Sequence, residues 1–390
     1  MRKSTHGPSL YYATDKNVFD ALNQHKVDVP TVLKLFERRN IVIGKKTPRE
    51  DLARYFSRLT HDYYDHRAIA SRLGVVPRRE RITTMDVIGT SSTDELLSTD
   101  ELLIAIEQLK VEMESAGDVV QITRHEEKLT VEVQYSTVDY KRSEFAQVQV
   151  RDGIIEFEKT EKGFVVRNTH NDFLEQARDS LLGKVEKVID APLSRVAVSL
   201  FDIPSVKLRS KFFHELAMSL PGYSRRDVTD VYVYKPKPDQ DLKDGEDTNE
   251  EDEGAHIERV FLRGSGVSRS QLLNELLDED DYYIVKMGWL ATEAMNDGHV
   301  YDIEAVFANP KDCTGFSFIL SGVFPLENGK ISSRKRTPTK EEIDKISRVI
   351  EARARSLISS LKEEYNILDA GGCNANKISL VLYSYSQWCR

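Results

Sequence analysis

The sequence is short of several things, and each shortage narrows its reading. No apolar run approaches the roughly 18 residues that a membrane-crossing helix needs, and the first residues, with Arg2, Lys3, His6, Tyr11 and Tyr12, lack the apolar stretch of a secretory leader. The expectation is a cytoplasmic protein with no membrane partner. Cysteine is scarce: Cys313, Cys373 and Cys389 are odd in number and have no CxxC spacing. They indicate neither a disulfide framework nor a structural zinc site, and reduced thiols are expected. Glycine-rich phosphate loops are also missing. Gly264-Ser265-Gly266 follows a strand pattern and precedes a helical one, but it lacks the third glycine and the Gly-Lys-Ser/Thr ending of a nucleotide cradle. Gly371-Gly372-Cys373 reads as a loop. No cofactor is expected.

What is present is the balance of a globular protein, 40% hydrophobic and 31% charged over 390 residues, enough for two or three cores. The formal net charge is -9, but it is spread unevenly. Residues 1–81 carry 17 Lys plus Arg against 9 Asp plus Glu, a basic head on an acidic body. Contact with a polyanion is therefore expected at the N-terminal end, if anywhere.

Within that head, Val29, Val32, Leu33 and Phe36 stand at i, i+3, i+4 and i+7, the stripe of a short amphipathic helix with Pro30 in its first turn. Arg38, Arg39 and Asn40 follow, then the β-branched run Ile41-Val42-Ile43, which favours extended backbone, and then Gly44. Thr47-Pro48-Arg49-Glu50 has the spacing of a capping box with proline at the first helical position. The helix it opens carries the stripe Leu52, Tyr55, Phe56 and Leu59. Arg38, Arg39, Lys45, Lys46 and Arg49 cluster where the first helix ends and the second begins. Free amides and cations there favour phosphate together, positioning the protein without reading sequence.

The stretch RRNIVIGKKTPREDLARYFSRL, residues 38–59, resembles the SAP domain and its helix–extended–helix relatives. It departs from their pattern at Asn40, where a glycine is usual, and at Thr47-Pro48. The resemblance covers about a tenth of the chain. It implies duplex DNA binding, carried on the matching positions by Lys45, Lys46, Arg49 and Arg54; some relatives bind protein instead. Arg78, Arg79 and Arg81 close the basic region and extend the expected phosphate track. Between them His61, Asp62, Asp65 and His66 have metal-like i, i+4 spacings, but helix caps explain them more simply, and no metal is expected.

From residue 82 onward the pattern mixes strands with longer helices. Strands are expected at 82–88, 119–123, 129–135, 145–150, 154–158 and 164–167, with helices at 99–114 and 173–188, and turns at Asp152-Gly153 and Lys162-Gly163. A similar order follows: strands at 196–201, 228–234, 257–262, 282–291, 300–307 and 316–324, helices at 206–220 and 268–277, and a long helix at 339–365. The fold class is therefore α+β: a small helical SAP-like head over 1–81, then an antiparallel-sheet body whose element order suggests two similar halves, 82–190 and 191–365, and a tail over 366–390. Residues 236–254 are dense in like charge and read as a disordered acidic loop, a solvated hairpin insertion in preference to a shield over a basic groove.

Two carboxylate sets invite a nuclease reading. Asp302 and Glu304 alternate on one strand, but no lysine two residues on completes the usual triad, and Asp152, Glu156 and Glu158 have Lys159 out of register. Arg334, Lys335 and Arg336 offer a second phosphate contact before the last helix. Together these features point to a nucleic-acid-binding protein, DNA or RNA through the head and a protein partner or a second copy through the body. It would act as a non-catalytic subunit or adaptor in DNA processing or in bacterial antiviral defence. The alternatives are a metal-dependent nuclease using Asp302 and Glu304, and a protein-interaction subunit without nucleic-acid contact.

Overall fold

The computed structural model describes residues 13–24, 27–44, 46–73, 80–89, 98–125, 128–161, 163–237, 257–278, 281–293, 298–327 and 329–370. Most of the expected acidic loop, nearly all of the expected tail, and Lys45, Arg78 and Arg79 lie outside these residues. In chain order the helices and strands are α1 (Asp15–Leu22), α2 (Val29–Glu37), α3 (Arg49–Ser57), α4 (Tyr63–Leu73), β1 (Ile82–Gly89), α5 (Thr99–Ser115), β2 (Val119–His125), β3 (Lys128–Val138), β4 (Val148–Thr160), β5 (Gly163–Thr169) and α6 (Asp172–Ile189). Then come β6 (Leu193–Ala197), α7 (Val206–Met218), β7 (Tyr223–Tyr234), β8 (Arg259–Arg263), α8 (Gln271–Asp278), β9 (Tyr283–Glu293), β10 (Val300–Asn309), β11 (Thr314–Phe324), the short hairpin β12 (Leu326–Glu327) and β13 (Lys330–Ile331), and α9 (Lys340–Ala370). The class is α+β, with antiparallel pairing in the strand ladders.

By contacts the chain divides into two units. The first joins Met1–Arg78 to Gly89–Lys162 and Asn171–Leu193, and the second holds Arg79–Ile88, Gly163–His170 and Ser194–Arg390. The division differs from boundaries drawn at 81 and 190, because β1 and β5 pair with each other and β1 also pairs with β11, so both count with the later strands.

In the first unit α1 to α4 surround a core of Val18, Leu22, Val32, Leu35, Phe36, Leu52, Phe56 and Ile69. Two of these helices, α1 and α4, were not anticipated. The head core also takes in Phe145, and Asn17 donates to Glu144 at 2.5 Å, so the helices are fastened to the segment before β4. That segment is a 3-10 turn, not the strand expected from residue 145. Beyond it, β2, β3 and β4 form an antiparallel ladder against which α5 and α6 pack. Helix α5 starts on a capping box in which Ser98 caps Glu101 and Glu101 reaches back.

The turn expected at Asp152-Gly153 does not form. β4 runs straight through it for 13 residues, with Gly153 opposite Val133. Glycine serves there as a place of close approach: a Cβ would lie 2.0 Å from Cδ1 of the buried Leu174 on α6.

In the second unit the strands follow the order β5-β1-β11-β10-β9-β7-β8, with β6 paired to β1. α7 and α9 cover one face, burying Leu208, Phe212, Phe213, Leu216, Ile346, Ile350 and Leu357 against Met287, Trp289, Ile303, Ala305, Phe316 and Phe318. Alternation along β9 and β10 turns Lys286, Asp302, Glu304 and Val306 to the other face, which is only half-buried.

Buried charge in this unit has close partners: Arg209 donates to the carbonyls of Ile203 and Lys311. Glu351 on α9 is fully buried and accepts two bonds from Arg167 Nε, at 2.6 and 2.7 Å. Removing one partner takes this ion pair from the other. Glu351→Ala is expected to cost about 3–5 kcal/mol, whereas Glu351→Leu combined with Arg167→Met should recover most of that loss; denaturant midpoints of the three proteins decide it.

Burial, with Arg225 and Lys211 adding to it, pushes the His214 imidazole down to about 4. The unfolded chain takes up this proton near pH 6.5 and the folded chain only near 4, so the stability present above 6.5 drains away as pH falls through that window. The melting temperature of the wild type should fall more steeply from pH 7 to about 5 than that of His214→Gln; parallel curves would exclude this residue as the cause.

Candidate nucleic-acid interface

The head's geometry begins with the end of α2. Asn40 adopts a left-handed backbone, φ 57°, and the Ile41 amide closes on the Phe36 carbonyl at 3.0 Å. This is a helix stop that usually employs glycine and tolerates asparagine best among the rest. Ile41 and Ile43 then pack against the head core while Val42 is 94% exposed, the alternation of an extended segment. Helix α3 begins one residue later than its sequence suggested. Pro48 occupies the cap and no side chain caps the amides, so the capping box expected from Thr47 and Glu50 does not form; Glu50 instead accepts from Arg54 at 2.5 Å.

The cations clustered in sequence have different fates. Arg49 turns inward, its guanidinium donating to the carbonyls of Gln24 (2.5 Å) and Val27. Arg39 pairs with the buried Asp65 and lies 5.3 Å over the Phe56 ring. Both hold the head together, which removes them from the expected phosphate contacts. Arg54 keeps its place on the surface: its partner Glu50 is exposed and its partner Asp51 half-buried, and such ion pairs open cheaply. Arg38 and Lys46 are exposed. Arg81 belongs to the second unit, where it pairs with Glu304, so it does not prolong a track on the head.

Tyr55 stands elsewhere than its spacing suggests. The inward face of α3 is Leu52, Ala53, Phe56 and Ser57, and Tyr55, expected in the stripe, is 50% exposed. It is flanked by exposed Arg54 and by exposed Arg58, a residue that charge clustering alone did not single out. The readable signal was the pair of small residues Ala53 and Ser57 at i, i+4, which lets the helix press close on that side.

The histidine cluster is structural. Asp62 caps α4 by accepting from the Asp65 amide at 2.8 Å, Asp65 holds Arg39, and the His61 ring lies 4.9 Å from that of Phe56 and 5.7 Å from that of His66. Burial pushes the His61 pKa below its ordinary value.

The remaining sequence candidates are engaged as well. On β10, Asp302 receives Lys335 at 2.6 Å, and Glu304 receives Lys286 at 2.7 Å as well as Arg81. Burial alone would raise the Glu304 pKa, but the hydrogen bonds from Arg81 and Lys286 outweigh it and hold the carboxyl below its usual range. A divalent ion would have to displace these cations, and no group of three His, Cys, Asp or Glu able to hold a metal occurs among the described residues. On β4 and its neighbour, Glu156 is paired with Lys128 and Asp152 accepts from Gln134. Arg336 forks onto Glu342, so of the three cations before α9 two serve internal pairs and Arg334 is exposed. The Gly264–Gly266 turn presents its Gly266 amide to both oxygens of Asp227, at 3.0 and 3.1 Å, and so holds a carboxylate of the chain itself. Cys313 is buried and its thiol is pushed up to about 11 by that burial, the opposite of an activated nucleophile.

Compared with known proteins, the chain matches no family model and no curated sequence.

The different fates of the arginines are measurable. Arg39→Ala should destabilise the head by about 1–3 kcal/mol, since it strands Asp65, while Arg54→Ala should change stability by less than about 0.5 kcal/mol. Hydrogen exchange of amides in α2 and α3 reads both.

Proposed function

We propose that this chain is a nucleic-acid-binding protein, with duplex DNA the first expected ligand, that grips phosphate through its head and carries out no chemistry on the ligand there. The observation that carries the reading is the outward face of α3, where exposed Tyr55 stands between Arg54 and Arg58 with exposed Lys46 in the preceding loop. Cations spaced around an exposed aromatic suit a sugar–phosphate backbone, with the aromatic ring packing on sugar or base and the cations releasing counterions. The α2–α3 pair then acts as a SAP-like helix–extended–helix clamp whose internal cations, Arg39 and Arg49, keep it rigid while its outer cations bind.

The test is a polarisation titration of labelled duplex DNA, with duplex RNA in parallel, at about 50 and about 200 mM salt. Wild-type affinity should drop steeply with salt. Lys46→Glu combined with Arg58→Glu should bind about tenfold more weakly, with a salt slope reduced by about 2. Unchanged affinity and slope in a double variant that melts like the wild type removes the head from nucleic-acid binding.

A further inference from the structure

The half-buried face of the second unit's sheet carries a cross-strand row that no local pattern announces. Direct partners along the ladder run from Phe261 on β8 to Tyr232 on β7, Lys286 on β9, Val306 on β10 and Ser317 on β11. Directly opposed residues share a face, so the row sets two aromatics, a cation, an aliphatic and a hydroxyl in line across five strands. At about 4.8 Å per strand it spans roughly 19 Å. Two further cations stand beside its ends: Arg259, two residues before Phe261, and Arg81, whose partner Glu304 lies two residues before Val306.

The same residues line a cleft of about 520 Å³, with Arg81, Arg259, Lys286 and His170 among its walls and no carboxylate. Its three wall cations face two carboxylates, Glu304 shared by Arg81 and Lys286 and Glu258 beside Arg259 at 3.5 Å, which leaves one positive charge in excess. The aromatic end is accessible: Phe261 is 50% exposed, and its ring centroid lies 6.4 Å from that of Tyr232 at 55°. The other end holds two buried donors that have no hydrogen-bond partner, Ser317 Oγ and Arg81 Nε. Ser317 is wholly buried, so no water satisfies its hydroxyl either.

We infer that this cleft seats an unpaired nucleoside phosphate, the repeating unit of single-stranded nucleic acid. The base stacks on Phe261 and Tyr232, and the phosphate lies toward Lys286, Arg81 and Arg259, which supply charge. Stacking on an aromatic accepts any base, and a cationic groove follows the backbone, so the seat is tolerant of sequence. An unpaired strand fits this arrangement better than a duplex, whose stacked bases offer no free π-face to a sheet. The site extends the nucleic-acid reading but does not rest on the head.

The experiment uses the full chain and a fluorescein-labelled single-stranded oligothymidylate, followed by polarisation, with unlabelled thymidine monophosphate as competitor. Phe261→Ala combined with Arg259→Glu, both exposed positions, should weaken single-strand binding by about tenfold or more. Phe261→Trp should retain it, and Lys286→Gln should weaken it independently. The head variant Lys46→Glu with Arg58→Glu should keep its response to the cleft substitutions, which separates failure of this site from failure of the head. Competition by the mononucleotide at matched phosphate concentration supports the seat and assigns it to free nucleotides; strand binding that resists the mononucleotide supports it and assigns it to single strands. If the wild type binds neither probe, or if the Phe261 and Arg259 variant binds as the wild type does, the inference is overturned.

Discussion

A charged group leaving water must find a counter-charge or hydrogen-bond acceptors, and in this protein that requirement decides which cations stay exposed. Glu351 takes Arg167, Glu304 takes Lys286 and Arg81, Asp65 takes Arg39, and Glu342 takes Arg336. Each carboxylate is at most one-quarter exposed, in contrast with the open pair between Arg54 and Glu50. The buried pairs fix geometry, and those of Glu351, Asp65 and Glu342 withdraw their members from binding, whereas Arg81 keeps its Nε without a partner. The open ones cost little to break and leave their members on call. A basic cluster counted in sequence is therefore an upper bound on the basic surface, and burial sorts it.

That sorting explains what was legible beforehand. The α5 helix is readable from the helical spacing of Leu102, Ile106, Leu109 and Met113, all of which are buried, and the β9, β10 and β11 strands are readable as long extended runs. Asp152-Gly153 is ambiguous in sequence because the same dipeptide serves a tight turn and a close helix–strand approach, and only the position of Leu174 separates the two. Arg49 looked like a phosphate ligand because nothing near it in sequence reveals that the Gln24 and Val27 carbonyls lie within its reach. The i, i+3 spacing places Tyr55 inside, while the small residues Ala53 and Ser57 shift the packed arc the other way.

The aromatic–cation row was not legible at all, for a physical reason. Its members come from strands separated by helix α8, by the segment between β7 and β8 and by whole hairpins, and the order β11-β10-β9-β7-β8 is not the order of the chain. Phe261 and Tyr232 are each ordinary strand residues, and Ser317 is an ordinary serine until its neighbours leave its hydroxyl without a partner. The head is written in adjacent residues and can be read from them. The cleft is written in pairing register and appears only when the ladder is closed.

β8 also bears on how the molecule behaves in company. It ends the strand order of its unit, so one side of its backbone has no ladder partner among the described residues. The strand is only five residues long, and Arg259 and Arg263 occupy its first and last positions, both well exposed. Such a border is poorly suited to templating a neighbour's strand: two guanidinium groups would have to approach two others across less than 5 Å. The arginine that frames the cleft thus doubles as a guard against edge-to-edge aggregation, and replacing it by an apolar residue would put solubility at risk before it touched the fold.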